Sequence, residues 1–160
     1  MATVEQFEDL EVWQNARKLT NLIYDYSDVG SFSRDFGLQD QMRRASVSVM
    51  SNIAEGFESR TQALFIEYLR RAKGSAGELR AQLYIAPDRK YITKDQFRDA
   101  HLLAAMCSRQ LQTFIQYLES QPNARRIREE QAAYEIKPVT FNLQPETQNE
   151  PSTFNLRLER

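Results

Sequence analysis

Residues 62–86 read QALFIEYLRRAKGSAGELRAQLYIA, and within them Phe65, Leu69, Ala72, Ala76, Leu79, Leu83 and Ala86 follow one another at steps of 4, 3, 4, 3, 4 and 3. That alternation keeps one face of an α-helix apolar and leaves the other for solvent. A helix is therefore predicted from about Gln62 to Ala86. It needs partners, because a single amphipathic helix cannot bury its own stripe.

The partners lie on either side of it. Upstream, Val12, Ala16, Leu19, Ile23 and Tyr26 form a stripe from about Asp9 to Asp28, with Asp9 as a candidate N-cap. A second segment, from about Phe36 to Phe57, carries Leu38, Met42, Ala45, Val49, Asn52 and Gly56 in heptad phase. Downstream, T-K-D-Q at Thr93 matches a capping box and opens a helix with Phe97, Ala100, Ala104, Cys107, Leu111, Phe114 and Leu118 on its stripe. Each segment is about 20 residues or more, roughly 30 Å at helical rise. The connections at 29–35, 58–61 and 87–92 are short, which makes neighbouring helices antiparallel. The predicted fold is all-α, an up-down-up-down antiparallel four-helix bundle. No period-two alternation of useful length competes with it.

The chain has 160 residues, 41% apolar and 27% charged, enough for one buried core. Four of its five prolines and none of its five glycines lie beyond residue 121. The bundle is accordingly assigned to residues 1–121 and a C-terminal extension to 122–160. Residues 123–135 are helix-prone, whereas TFNLQPE at 140–146 returns as TFNLRLE at 153–159. Two readings of that repeat stay open: a poorly ordered tail, or a peptide that docks on a partner through Phe141, Leu143, Phe154 and Leu156. The acidic start MATVEQFEDLEVWQ lacks the character of a signal peptide, and no apolar run has membrane-spanning length, so the cytoplasm is the expected compartment.

Convergent catalytic groups are not evident. His101 is the one histidine and Cys107 the one cysteine, which excludes the paired Glu-x-x-His motifs of di-iron bundles, an internal disulfide and a Cys/His metal cluster. Ser46, Ser48 and Ser51 lack a nucleophile elbow, and neither a phosphate loop nor a dinucleotide turn is present. Glu55 and Glu78 could face each other across two helices, although carboxylates so placed usually bond backbone, amide or Arg groups. A non-enzymatic protein with no cofactor and no metal is the expectation.

Charge is more informative than chemistry. Net charge is −1, yet residues 1–29 hold two basic and six acidic side chains, while 30–90 hold ten basic and seven acidic. Arg43, Arg44, Arg70, Arg71, Lys73 and Arg80 make the middle two helices the electropositive part, and guanidinium forks suit phosphate oxygens. Acids such as Glu67 and Glu78 stand at pairing distance along the helix, so a solvated, salt-bridged face is the competing reading. A separate question attaches to VSVMSNIAEGFE at 47–58, where Asn52, Glu55 and Gly56 interrupt an apolar run. Heptad phase puts Asn52 and Gly56 on the packing seam, with Asn52 as a register-fixing amide and Gly56 as a point of close approach that also begins the turn out of the helix. Glu55, Ser51, Ser48 and Arg44 form a polar flank expected to meet Ser75 and Glu78, or a second subunit.

Three ordered motifs carry a specific resemblance: FEDLEVWQNARKL at 7–19, QMRRASVSVMSNIAEGFESR at 41–60 and FIEYLRRAKGSAGEL at 65–79. Together, over about residues 5–120, they resemble the four-helix-bundle proteins encoded in intervening sequences of bacterial 23S ribosomal RNA genes, a group also described as ribosomal-protein-like. The recognisable positions are Trp13, Gln14, Arg43, Arg44, Ser51 to Gly56, Arg70, Gly74, Ser75, Glu78 and Leu79. The chain departs from the pattern at Met50, where relatives often have Pro, at Thr61 and Leu64, and at APDRKYI after the third helix; Ser59 with Gln62 is the better candidate box there. The resemblance implies a ring-like homopentamer and binding of RNA or DNA. Through related accessory proteins of diversity-generating retroelements, it also implies a reverse transcriptase as a protein partner. An oligomeric nucleic-acid-binding accessory protein is the first expectation, and a scaffolding oligomer that binds a protein is the alternative.

Overall fold

The computed structural model describes residues 4–121. The expectations for 123–135 and for the repeated tail lie outside the described residues. Four long helices dominate: α1 (Glu11–Ser27), α2 (Phe36–Phe57), α3 (Gln62–Leu83) and, after a one-turn α4 (Ile85–Asp88), α5 (Lys94–Ser120). Short 3-10 turns at Phe7–Asp9 and Phe32–Arg34 precede α1 and α2, and no strand occurs among the described residues. In packing, α1 meets α2 and α5, while α3 meets α2 and α5, so the helices form a four-membered ring in section. The up-down-up-down bundle is the fold.

Helix starts follow local chemistry. Asp35 caps α2 by accepting from the Leu38 amide at 3.1 Å. At α5 both halves of the capping box form, Thr93 Oγ1 accepting from the Gln96 amide and Gln96 Oε1 accepting from the Thr93 amide. Two sequence-based assignments are corrected. Asp9 belongs to the 3-10 turn and does not cap α1, whose N-cap position is the buried Leu10. At α3 the cap is Thr61, which accepts from the Leu64 amide, while Ser59 Oγ donates to the Gly56 carbonyl instead.

The core is a continuous apolar column, with Leu19, Ile23, Met42, Val49, Ile53, Leu69, Leu79, Leu83, Leu111 and Leu118 fully buried. Small residues at Ala72, Ala76, Ala100 and Ala104 keep the axes close. On α2 the buried set is Met42, Ala45, Ser46, Val49, Ile53 and Gly56, so Ile53 takes the seam position that heptad phase assigned to Asn52. At 100° per residue Ile53 falls about 20° round the axis from Met42 and Asn52 about 80° to the other side, so Ile53 lies nearer the middle of the buried stripe. On α1 Ser27 is buried and Tyr26 is half-exposed.

Each ring contact carries a polar clip. Asn15 Nδ2 donates to Gln110 Oε1 at 3.1 Å between α1 and α5, with both residues buried. Thr20 Oγ1 shares its proton between the Ala16 carbonyl of its own helix at 2.9 Å and the Ser46 carbonyl of α2 at 3.1 Å, and Ser48 and Ser75 hydroxyls meet at 2.8 Å between α2 and α3. Gln62 donates to the Leu118 carbonyl between α3 and α5. Such pairs are satisfied only in one alignment, which is how a bundle of similar stripes fixes its register.

Candidate nucleic-acid interface

The arginines singled out by charge fall into different environments. Arg43 is held on all sides: Nε donates to Ser27 Oγ at 2.8 Å, a terminal nitrogen pairs with Asp28, and the guanidinium sits 4.5 Å from the Tyr24 ring centroid. It locks the end of α1 to α2 and is not available to a ligand without breaking that contact. Arg44 is 77% exposed and pairs with Asp40 one turn back. Arg71 pairs with Glu67 and lies over the Tyr68 ring, while Arg70 bridges to Glu119 of α5 at 2.7 Å. The salt-bridged alternative thus describes four of the six cations.

Lys73 and Arg80 differ. Neither has a carboxylate partner among the described residues. They lie seven residues apart, about 10 Å along the helix, on the flank of α3 that faces α5, and Gly77 between them adds no side chain to that wall. Arg80 goes further: its Nε is buried with no hydrogen-bond partner among the described residues, and so is His101 Nε2 on α5. Burial, and secondly the Arg80 charge, push the His101 pKa below its ordinary value, so the imidazole is neutral near pH 7. His101 also stacks in a group with Phe97 and Tyr84, at centroid distances of 5.3 and 5.4 Å.

The set expected to govern packing and register also divides. At Gly56 an added Cβ would stand 2.7 Å from Phe65 Cδ2 and 2.8 Å from Tyr68 Cβ, so side chains of α3 require the glycine. The helix continues one residue beyond it, to Phe57. Ser75 meets the polar flank of α2 through Ser48, as anticipated. Asn52 lies half-buried on that flank and bonds within its own helix, to the Ser48 carbonyl and hydroxyl. Glu55 is exposed, and Glu78 is exposed with Gln82 Nε2 donating to it at 3.0 Å, so the flank reaches Ser75 but not Glu78. Gly74 is exposed, and among the described residues nothing lies within 4 Å of an added Cβ there. Sequence reasoning missed Asn15 and Gln110, two polar residues on otherwise apolar stripes and 95 positions apart, whose pairing only the tertiary fold creates. Among the described residues no group of three or more His, Cys, Asp or Glu side chains is placed to hold a metal ion. No helix among them is long and apolar enough to cross a membrane.

A profile of the 23S rRNA-intervening sequence protein family matches residues 8–113. The chain belongs to that family. No curated protein matches it. Among solved structures, a protein of unknown function from the S23 ribosomal protein family of Bacteroides thetaiotaomicron superposes with a TM-score of 0.60 at 22% identity, over 65% of this chain and 97% of that one. At that identity the likeness concerns the fold. For this member of the 23S rRNA-intervening sequence family, the matched span includes every residue of the α3 flank and most of α5.

Proposed function

We propose that the protein is a non-enzymatic accessory protein that self-assembles and holds the phosphate backbone of RNA or DNA along the α3 flank facing α5. The observation that carries this is the pair Lys73 and Arg80, two cations on one helix flank with no carboxylate partner among the described residues. Arg70 continues the same flank one turn before Lys73 and is held by a surface ion pair, 57% exposed on the arginine side. Pairs of that kind contribute only about 0–1 kcal/mol, so phosphate can displace the carboxylate. Arg43 is removed from the binding set, and Arg44 and Arg71 are secondary to the α3 flank.

Self-assembly, with the ring-like homopentamer as the specific form, finds support on the outer face of α3. Gly74 and Gly77 lie mid-helix with nothing near an added Cβ, at a helical cost of roughly 1 kcal/mol each against Ala. A neighbouring copy approaching Gly74 would leave Lys73 at about 100° round the helix, at the margin of the joint. Repetition of a weak cationic flank around a ring then multiplies its affinity. A reverse transcriptase is the protein partner this family relation would bring.

A second reading, a scaffold for a protein partner, is favoured by Phe36 and Val29 at the α1–α2 end, 74% and 59% exposed. Light scattering together with the 260/280 nm absorbance ratio of the purified protein, followed by RNA gel shifts across a salt series, tests the proposal. A defined oligomer that retains RNA at low salt and releases it steeply as salt rises is expected. A monomer, or no shift at tens of micromolar protein, overturns it. Loss of partner capture on Phe36→Ser, with RNA retention absent throughout, would establish the scaffold in its place.

A further inference from the structure

Of the eight large apolar side chains exposed among the described residues, four gather where α1 meets α2: Tyr24, Val29, Phe36 and Val47. The other four are spread over the rest of the bundle. Helical spacing explains the gathering. On α1, Trp13, Thr20 and Tyr24 follow at steps of seven and four, and Thr20 reaches the Ser46 carbonyl, so this flank faces α2. On α2, Phe36, Arg43, Val47 and Ala54 follow at steps of seven, four and seven, and Arg43 bonds Ser27 of α1, so the two rows lie side by side. Their charged members are already matched, Arg43 to Asp28, and Arg17 over the Trp13 ring at 6.0 Å. What stays open over the roughly 27 Å from Ala54 to Phe36 is mainly apolar. An exposed face of that kind marks a docking surface.

The chain itself carries an occupant of matching chemistry. TFNL at 140–143 and again at 153–156 is uncharged, with Phe and Leu two positions apart in each copy. In an extended peptide residues two apart share one side, about 7 Å from each other, so each copy would present a Phe and a Leu together. A helix would turn the same pair about 200° apart. The Asn15–Gln110 contact places the start of α1 and the end of α5 at one end of the bundle, where Gln121 closes α5. Nineteen residues separate Gln121 from Phe141, a reach of up to roughly 65 Å when extended. That exceeds the length of the face, and a tethered segment acts at an effective concentration of about millimolar. A phosphate backbone would find only Arg17 unpaired by a carboxylate on these two rows, and a second copy would compete without the advantage of the tether.

We propose that the TFNL repeat of the C-terminal extension docks on the α1–α2 face of its own bundle, one copy at a time, with its Phe and Leu against Tyr24, Phe36 and Val47. Two copies then serve one face, and loss of either leaves the other to take its place. The α1–α2 and α3–α5 joints lie on opposite sides of the four-helix ring, so docking is independent of phosphate binding and both can occur together. The tail becomes the segment that a protein partner must displace before it can use Phe36.

Limited chymotrypsin digestion of the full chain tests this, because the protease cuts after accessible Phe and Leu and each copy of the repeat contains both. Wild-type protein is compared with Phe36→Ser/Val47→Ser, two exposed positions, with thermal melts to show that the variant is folded. Cleavage tracks the undocked fraction. Cuts after Phe141 and Phe154, read by mass spectrometry, are expected to run roughly 5- to 30-fold faster in the variant, the equivalent of about 1–2 kcal/mol of lost apolar contact. Trp13, the one tryptophan, reports from the other side of the contact. Its emission should shift to the red and its quenching by acrylamide should rise in Phe141→Ser/Phe154→Ser, and change less in either single variant. Equal cleavage of wild type and the Phe36→Ser/Val47→Ser variant, or Trp13 fluorescence indifferent to the double tail substitution, overturns the proposal. Trp13 shielding that is lost on dilution and not on tail substitution overturns it in favour of a second copy on the face.

Discussion

Arg43 and Arg80 are both half-buried arginines at a contact between two helices, and they are finished in opposite ways. Around Arg43 every facing group is matched: a hydroxyl, a carboxylate and an aromatic ring. Around Arg80 the buried Nε has no partner among the described residues, and neither has the imidazole Nε2 of His101. The α1–α2 end of the bundle is closed by its own residues, whereas the α3–α5 flank keeps donors and cations in reserve. Position in the sequence does not distinguish the two arginines; what surrounds them does.

The closed side is where substitution should cost most stability. Gly56→Ala places a methyl within 2.8 Å of two α3 side chains, and a loss of about 1–3 kcal/mol is expected, read as a fall in the urea midpoint. Arg43→Met removes a charge-assisted bond, an ion pair and a cation–π contact, and should cost about 1–2 kcal/mol; the partly exposed Asp28 limits the ionic share. Arg80→Met sharpens the contrast, since it deletes an unpaired buried donor, and it should leave the midpoint unchanged or slightly raised.

Smaller effects concern titration. The folded state holds the His101 pKa below its unfolded value, so the unfolded chain binds the proton first as pH falls. Stability from this group is level above the unfolded pKa and declines as pH falls through it toward the lower folded value. Burial is the larger cause and Arg80 the second, so Arg80→Met should shallow that slope without removing it, as denaturation at stepped pH will show. The Cys107 thiol, pushed up to about 12 by burial, should react with a thiol reagent at pH 8 only as fast as the chain opens.

Much of the fold was legible because periodicity and capping are local. The limits of α2, the α3 stripe and the Thr93 box all depend on residues within a few positions of one another. Ile53 was misjudged against Asn52 because two adjacent residues compete for one seam position, and Ile53 lies nearer the middle of the buried stripe. The site was less legible. Charge counting finds the arginines and same-helix partners such as Glu67 for Arg71, but not the partners brought in from elsewhere in the fold: Asp28 for Arg43, Glu119 for Arg70. The buried Asn15–Gln110 clip and the unpaired Arg80 and His101 atoms exist only once α1, α3 and α5 are packed.

The most direct test measures Arg43→Met and Arg80→Met side by side, each for thermal stability and for RNA affinity at low salt, below the melting range of both. A crossed result is predicted: Arg43→Met melts earlier yet binds as wild type, and Arg80→Met melts as wild type yet loses most of its affinity. RNA affinity undiminished in Arg80→Met, or lost equally in both variants, would contradict the assignment of the α3–α5 flank as the binding surface.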